Sequence, residues 1–181
     1  IVKELFTDQN KRIAIYDDVF ELQTRQNIYL ASLTSNFIIG WADGVILENQ
    51  ANRFLHAPWV QEDLGKSGII EAISRGPLAD EIKGYIHTGT VLNLSTPVDS
   101  FYHHAHSESR IFLYYVNLEW LDGWHGETLF YDEACKNIFY ASPFTPNRVI
   151  VFDGSIPHSL RPPSLLATKF RFTLALIYNK A

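Results

Sequence analysis

From about residue 83 onward, the chain is a series of short segments rich in β-branched and aromatic residues. Each segment is bounded by Gly, Pro, Asn or Asp, as is typical of strands in an antiparallel sandwich or barrel. Six such segments are present: IKGYIHTGTVLNLS, RIFLYYVNLEW, ETLFYD, NIFYAS, RVIVFDG and KFRFTLALIY. The pattern therefore predicts a mainly β fold for this part of the chain.

The last segment alternates most regularly between its two faces. One face carries four apolar side chains, those of Phe170, Phe172, Leu174 and Leu176. The opposite face carries Arg171 and Thr173. A buried arginine is costly unless it meets an anion, and its planar guanidinium suits a carboxylate. Arg171 is therefore a candidate anion ligand.

The chain before residue 83 has a mixed pattern. Residues 17–36 predict a helix with Asp near its start, and residues 36–42 predict a short buried strand. The helix is expected to bury a set of apolar residues or their neighbours: Phe20, Ile28, Leu30 and Leu33. Residues 67–74 predict part of a second helix, ended by Gly76-Pro77. Helices followed by strands predict helices packed on one side of a β-sandwich.

Composition and charge exclude several classes of protein. The 181 residues, 46% of them apolar, suffice for one domain, 1–181, and rule out a disordered chain. A net charge of −5 without a basic cluster argues against a nucleic-acid partner, and the apolar runs are too short for a membrane span. The one cysteine, Cys135, and the lack of a recognisable signal segment favour a reducing compartment, which we expect to be the cytoplasm. Within the domain, residues 1–85 are expected to support a β core formed by residues 86–181.

Histidine is concentrated in two places. Three of the seven lie in residues 102–108, directly before a strand, and His158 directly follows another strand. His106 and Glu108 are two positions apart, so an extended chain points both side chains to the same face. If the intervening strands return His158 to this point, two imidazoles and a carboxylate form a facial triad, which leaves three positions on Fe(II) open.

Six motifs follow one another in the second half of the chain. They are HSE at 106–108, LYYVNLEW at 113–120, WHGETLF at 124–130, NRVIVF at 147–152, IPH at 156–158 and RFT at 171–173. Over about residues 86–178, their order and spacing resemble those of the 2-oxoglutarate- and Fe(II)-dependent oxygenases, in particular the prolyl-4-hydroxylase-like branch. Members of that family carry H-x-D, a Tyr-Leu-Asn…Trp strand, a W-G-G-E-T turn, a P-G-R strand, a distal His and a closing R-x-S/T.

The resemblance implies a fold and an activity. The fold is a double-stranded β-helix, or jelly roll, of mainly β (α+β) class with flanking N-terminal helices. The activity is that of a dioxygenase that hydroxylates a small molecule or a peptide, with peptidyl proline as one option. Its co-substrates are dioxygen and 2-oxoglutarate, which leaves as succinate and CO2, and ascorbate is a further factor that the family admits.

The resemblance also implies roles for individual residues. The implied Fe(II) ligands are His106, Glu108 and His158, and the implied ligands of the distal carboxylate of 2-oxoglutarate are Arg171, Thr173 and Tyr115. Asn117 and Trp120 are expected to hold the strand and its turn in shape. Arg161 is an alternative anion ligand, although its position favours a surface loop.

Three positions depart from the family pattern. Glu108 stands where Asp is usual, and a second register remains open in which His104 and His106 bind the metal with Glu108 behind them. That site would be all histidine, which favours a different chemistry or a weaker 2-oxoglutarate turnover. His125 and Asn147 each replace a turn glycine, and both residue types tolerate a left-handed backbone, so the turns should be kept.

Two other functions are compatible with the same fold. The first is a cupin-like metal-dependent dioxygenase that does not use 2-oxoglutarate. The second is a non-catalytic jelly-roll binding module whose metal site has degenerated at Glu108. The pair of Arg171 and Thr173 favours the 2-oxoglutarate enzyme over both, because a binding module has no need of it.

Overall fold

The computed structural model describes residues 1–39, 55–99, 102–107 and 109–181, which form eleven strands and three α-helices. The strands are β1 Lys3–Phe6, β2 Arg12–Tyr16, β3 Ile38–Ile39, β4 Leu55–Pro58, β5 Tyr85–Ser95, β6 Ser109–Tyr115, β7 Thr128–Tyr131, β8 Ile138–Ser142, β9 Val149–Asp153, β10 His158–Leu160 and β11 Arg171–Lys180. The helices are α1 Leu22–Leu33, α2 Gln61–Ser67 and α3 Ile69–Arg75, followed by a short 3-10 helix, Ala79–Ile82.

The strands form two antiparallel sheets. The main sheet has the order β1-β2-β9-β6-β11-β5-β4-β3, and the small sheet has the order β10-β7-β8. An isolated antiparallel bridge between His104 and His158 adds one more segment beside β10. The predicted mainly β architecture is confirmed, and β11 lies in the interior of the main sheet, paired with β5 and β6.

Alternation along the strands divides the apolar residues into two clusters. The outer cluster lies between the main sheet and the helices and includes Ile28, Ile69, Ile73, Phe112, Phe172, Leu174 and Leu176. The inner cluster joins the main sheet to the small sheet and includes Ile111, Leu113, Tyr115, Phe130, Phe144, Ile150 and Phe152. The two faces predicted for the last strand therefore meet different surroundings, and the face of Arg171 and Thr173 is the inner one.

The first half of the chain contributes more strand than its sequence predicted. The hairpin of β1 and β2 extends the main sheet through pairing of β2 with β9, and β4 pairs with β5 on the other side. Of the predicted strand at 36–42, Ile38 and Ile39 form β3 and are exposed rather than buried, and residues 40–42 lie outside the described part of the chain.

The helices differ in detail from the prediction. Helix α1 begins at Leu22, so Phe20 lies in the segment that leads into the helix, where it is buried. Its buried positions are Ile28 and Ser32, whereas Leu30 and Leu33 are exposed. None of the helices in the described ranges has the length and apolar character needed to cross a membrane.

Two turns adopt the left-handed backbone that their sequences predicted. The φ angle is 58° at His125 and 65° at Asn147, the two positions where the family pattern has glycine. Asn147 is also buried, and its side-chain amide accepts a hydrogen bond from the Phe20 amide at 3.0 Å and donates one to the Phe20 carbonyl at 3.0 Å. This side chain therefore attaches the segment before α1 to the start of β9.

Replacing Asn147 with glycine tests this attachment. Asn147→Gly keeps the left-handed turn but leaves the buried amide and carbonyl of Phe20 unpaired, so we expect a loss of about 2–4 kcal/mol in the free energy of unfolding. Asn10→Gly is the matched control, because Asn10 has a similar φ of 62° but is exposed; its effect should stay within about 0.5 kcal/mol. Urea denaturation measures both, and equal losses would contradict the proposed attachment.

Candidate metal and anion site

Three imidazoles meet where the small sheet faces the segment before β6. The candidate ligand atoms of His104, His106 and His158 all lie within 4.8 Å of one another. Their ring centroids are 5.1 Å (His104–His106), 4.4 Å (His104–His158) and 5.3 Å (His106–His158) apart. Imidazole nitrogen suits Fe(II) and neighbouring divalent metals, so this donor set fits the metal that the motifs imply.

The His158 ring is held by its surroundings. It is the first residue of β10, is buried, and packs against Phe152 and Phe130 at centroid distances of 4.9 and 6.3 Å. Its Nδ1 lies 2.8 Å from the carbonyl oxygen of Ile156. Since a carbonyl can only accept, Nδ1 carries the proton and Nε2 keeps the lone pair that a metal needs.

The electrostatics of the cluster keep His158 in its metal-binding form. Burial lowers the pKa of His158 well below its ordinary value, and the nearby imidazoles of His104 and His106 lower it further. Only the hydrogen bond to Ile156 opposes this shift. The imidazole is therefore neutral at neutral pH, as a metal ligand must be.

Backbone hydrogen bonds fix the other two histidines. His104 and His158 exchange reciprocal amide-to-carbonyl bonds of 2.9 Å each, and the His106 amide donates to the Gly154 carbonyl at 2.7 Å. Gly154 itself has little spare room, because a Cβ there would lie 3.2 Å from the Cβ of His106 and 2.5 Å from the hydroxyl of Ser109. The turn after β9 therefore lies close against the strand segment that carries the histidines.

The structure brings together two of the three predicted metal ligands, His106 and His158, and adds His104. Glu108, the predicted third ligand, lies outside the described residues. His104 belongs to the alternative register of the sequence analysis. Its spacing of two from His106 gave it the same face, and the bridge to His158 supplies the proximity that spacing alone could not.

Arg171 lies at the first position of β11 and has no exposed surface. Its Nε donates to the Gly126 carbonyl at 2.7 Å, and its Nη1 lies 3.5 Å from the Thr173 hydroxyl. Among the described residues, Nη2 has no hydrogen-bond partner. Burial lowers the pKa of Arg171 to about 10, and the nearby Tyr115 and Glu127 offset this loss of hydration only in part. A bound anion would stabilise this charge and satisfy Nη2.

Aromatic rings and hydroxyls surround the guanidinium. Its central carbon lies 4.9 Å from the ring centroid of Phe144 and 5.7 Å from that of Tyr115. The Tyr115 hydroxyl donates to Thr128 at 2.7 Å, and burial raises the pKa of Tyr115, so this hydroxyl keeps its proton. Thr173 pairs with Tyr115 in the register of β11 and β6. The three predicted anion ligands therefore lie together; their role toward 2-oxoglutarate stays a prediction.

The histidine cluster and the Arg171 guanidinium adjoin the same inner cluster. His158 packs on Phe130 and Phe152, and Arg171 lies over Tyr115 and Phe144, all four of which belong to that cluster. Both groups of polar side chains therefore adjoin the core that joins the two sheets.

The remaining predicted residues have structural surroundings. The Asn117 amide donates to the Phe170 carbonyl and accepts from the Phe172 amide, both at 2.8 Å, and the Trp120 indole donates to the His125 carbonyl at 2.8 Å. Arg161 is exposed and pairs with Glu127 at 3.3 Å. A surface position for Arg161, rather than a second buried anion ligand, agrees with the sequence analysis.

Gly126 controls the position of Arg171 and was not singled out by the sequence analysis. Its φ is +88°, and a Cβ there would lie 2.9 Å from Cδ and 3.0 Å from Nε of Arg171. The sequence signal was the W-x-G-E-T turn, in which only the second glycine is retained. Close approach of the backbone to a buried cation explains why this position is occupied by glycine.

The pair Gly126→Ala and Gly123→Ala tests that explanation. Gly123 has a φ of +83° and open space at its Cβ, so both variants share a backbone strain of about 1–3 kcal/mol. We expect Gly126→Ala to cost about 1–3 kcal/mol more in the free energy of unfolding, because its methyl group must displace Arg171. Urea denaturation measures the difference, and no difference would contradict the steric argument.

Comparisons with known proteins agree on the fold. No protein-family model matches the sequence, and no curated protein sequence matches it. Solved structures do match. A Trichoplax adhaerens prolyl hydroxylase in complex with a hypoxia-inducible-factor peptide has 17% sequence identity and a TM-score of 0.66, over 93% of this chain and 83% of that one.

Two bacterial structures are similar to the same extent. An oxidoreductase of the 2OG-Fe(II) oxygenase family from Burkholderia pseudomallei has 13% identity and a TM-score of 0.68, over 93% of this chain and 85% of that one. A Pseudomonas putida prolyl-4-hydroxylase has 10% identity and a TM-score of 0.65, over 93% and 92% of the two chains. The chain therefore has the double-stranded β-helix fold of the 2-oxoglutarate- and Fe(II)-dependent oxygenases, as its motifs predicted.

Proposed function

We propose that this protein is a metal-dependent oxygenase that uses 2-oxoglutarate and dioxygen to oxidise a small molecule or a peptide. The observation that carries the proposal is Arg171, a fully buried cation with an unpaired Nη2 on the same inner cluster as three converging imidazoles. A binding module gains nothing from burying such a charge, whereas a dicarboxylate co-substrate supplies the anion that offsets its desolvation.

The proposed roles follow from the contacts. Arg171 binds the distal carboxylate of 2-oxoglutarate through the free edge of its guanidinium, and Gly126 fixes the other edge through the bond to Nε. The Thr173 hydroxyl, 3.5 Å from Nη1 of Arg171, orients the guanidinium. The Tyr115 hydroxyl, which donates a hydrogen bond to Thr128, lies on the same inner face. The wall of Phe144 and the Tyr115 ring excludes water and so strengthens the ion pair.

His106 and His158 are proposed as two of the metal ligands, with the third from His104 or Glu108. Fe(II) bound there would supply activation of dioxygen, with 2-oxoglutarate as the source of two electrons and succinate and CO2 as its products. The protein contributes ligand geometry, a neutral His158 and a water-poor interior. The peptide bound to the prolyl hydroxylase from Trichoplax adhaerens supports a peptide as one class of substrate.

One observation favours a second candidate, a cupin-like dioxygenase that does not use 2-oxoglutarate. The donors in the described residues are three imidazoles, whereas the motif family uses two imidazoles and a carboxylate. This candidate provides no bound carboxylate to offset the burial of the Arg171 charge, so we place it second.

The two candidates differ in an anaerobic titration. Adding Fe(II) and then 2-oxoglutarate to the wild-type protein should produce a weak visible charge-transfer band, and His158→Ala should not produce it. On admission of air, the wild type should convert 2-oxoglutarate to succinate even without its substrate, although slowly. Bound iron without the band, together with no succinate, would reject the proposed function in favour of the second candidate.

The role of Arg171 can be measured separately from turnover. We expect Arg171→Gln to weaken 2-oxoglutarate binding by about 2–5 kcal/mol, at least about 30-fold, because a buried charge pair is lost. Isothermal titration calorimetry on the Mn(II)-loaded protein gives the affinity. Arg161→Gln is the matched control, since Arg161 is exposed and pairs with Glu127, and it should change the affinity less than about 3-fold. Equal effects of the two variants would reject Arg171 as the carboxylate ligand.

A further inference from the structure

We propose that Ser95 is a further ligand of the anion that Arg171 binds, and that its hydroxyl donates to the distal carboxylate of 2-oxoglutarate beside the guanidinium. The inference rests on the proposed function, because it places Ser95 at the same co-substrate. Ser95 is the last residue of β5 and lies outside the six motifs in the second half of the chain.

The register of the main sheet places Ser95 directly beside Arg171. The two residues are cross-strand partners in the pairing of β11 with β5. Residues directly opposite each other on antiparallel strands have their side chains on the same face, with Cβ atoms about 4.5–5.5 Å apart. Their neighbours Leu94 and Phe172, which also pair, lie in the outer cluster. Alternation therefore directs Ser95 and Arg171 to the inner face.

Both side chains end in a polar atom that the described part of the chain leaves unsatisfied. Ser95 has no exposed surface, and its Oγ has no hydrogen-bond partner among the described residues. Within the same ranges, Nη2 of the fully buried Arg171 has none either. A buried polar atom without a partner costs free energy, and native proteins leave few of them. Two such atoms on adjacent residues therefore indicate one shared partner, which a bound ligand can supply.

The hydrogen-bonding groups on these side chains are suited to an acceptor. Nη2 of Arg171 donates and cannot accept. The Thr173 hydroxyl accepts from Nη1 of Arg171 at 3.5 Å, so its own proton is available to another group. The Ser95 hydroxyl can rotate to donate as well. An ionised carboxylate accepts only, and its two oxygens offer about four lone-pair sites, so it can satisfy all three donors.

Ser95 supplies what the guanidinium alone does not. The Nε edge of Arg171 is already bonded to the Gly126 carbonyl at 2.7 Å, so only the remaining edge is left for a ligand. A hydroxyl from the neighbouring strand gives the carboxylate another donor without adding a second buried charge. Hydrogen bonds to an ionised acceptor are stronger than those between neutral groups. Ser95 therefore raises the affinity for 2-oxoglutarate without contacting the metal.

Calorimetry on the Mn(II)-loaded protein tests this role. We expect Ser95→Ala to weaken 2-oxoglutarate binding about 10-fold or more, because a hydrogen bond to a charged group is lost. Without 2-oxoglutarate, the variant should unfold at the same urea concentration as the wild type or at a higher one, since the substitution removes a buried hydroxyl that is unsatisfied in the protein. The affinity for Mn(II) should change less than about 2-fold, because Ser95 does not belong to the histidine cluster.

Ser32→Ala is the matched control for the loss of a buried hydroxyl. Ser32 also has no exposed surface, but it lies on α1, and its hydroxyl donates to the Ile28 carbonyl at 2.8 Å. Ile28 belongs to the outer cluster, on the side of the main sheet away from Arg171. The control should therefore bind 2-oxoglutarate within about 2-fold of the wild-type affinity.

The possible failures are distinguishable. If the wild type binds 2-oxoglutarate and Ser95→Ala binds it equally well, Ser95 is not a ligand and the proposed function stands. A loss of affinity that comes with unfolding at a lower urea concentration, or that Ser32→Ala shares, would give Ser95 a structural role and overturn the inference. A wild-type protein that takes up Mn(II) but does not bind 2-oxoglutarate would overturn both the role of Ser95 and the proposed function.

Discussion

The double pairing of β11 is the constraint on which the rest of the structure depends. This strand is bonded to β5 over its length and to β6 over residues 173–179, so it can neither slip nor rotate without breaking both ladders. Its alternation then sends Phe172 and Leu174 to the helices and Arg171 and Thr173 to the space between the sheets. Burial of an arginine at this position is thus a product of register, and the Gly126 turn is shaped around it.

Much of this arrangement could be predicted from the sequence because it depends on local rules. The period of two in the last segment predicts that Arg171 and Thr173 share one face. His125 and Asn147 were predicted to take left-handed turns, since they replace glycines in recognisable motifs, and both do. Helix α3, which ends before Gly76, follows from the same kind of local signal.

Other features depend on long-range contacts that no local pattern specifies. The hairpin of β1 and β2 is short and rich in charge, and its strand character comes from pairing with β9. Leu30 and Leu33 are exposed because α1 meets the sheet over a narrow stripe that contains Ile28. Positions 104, 106 and 108 share one alternation, so sequence alone could not choose the third metal ligand. The proximity of His104 to His158 comes from a backbone bridge between residues far apart in the chain.

That bridge also bears on the stability of the folded protein. The segment between His104 and His158 contains β6, β7, β8 and β9, and its two ends are joined by the two backbone hydrogen bonds of this bridge and by the bond from the His106 amide to the Gly154 carbonyl. An ion bound by both His106 and His158 would add a further link between the two ends of this segment in the folded chain. Since an ion that binds only the folded chain stabilises it in proportion to the logarithm of its concentration, the supply of free metal would govern the lifetime of the protein as well as its rate of turnover.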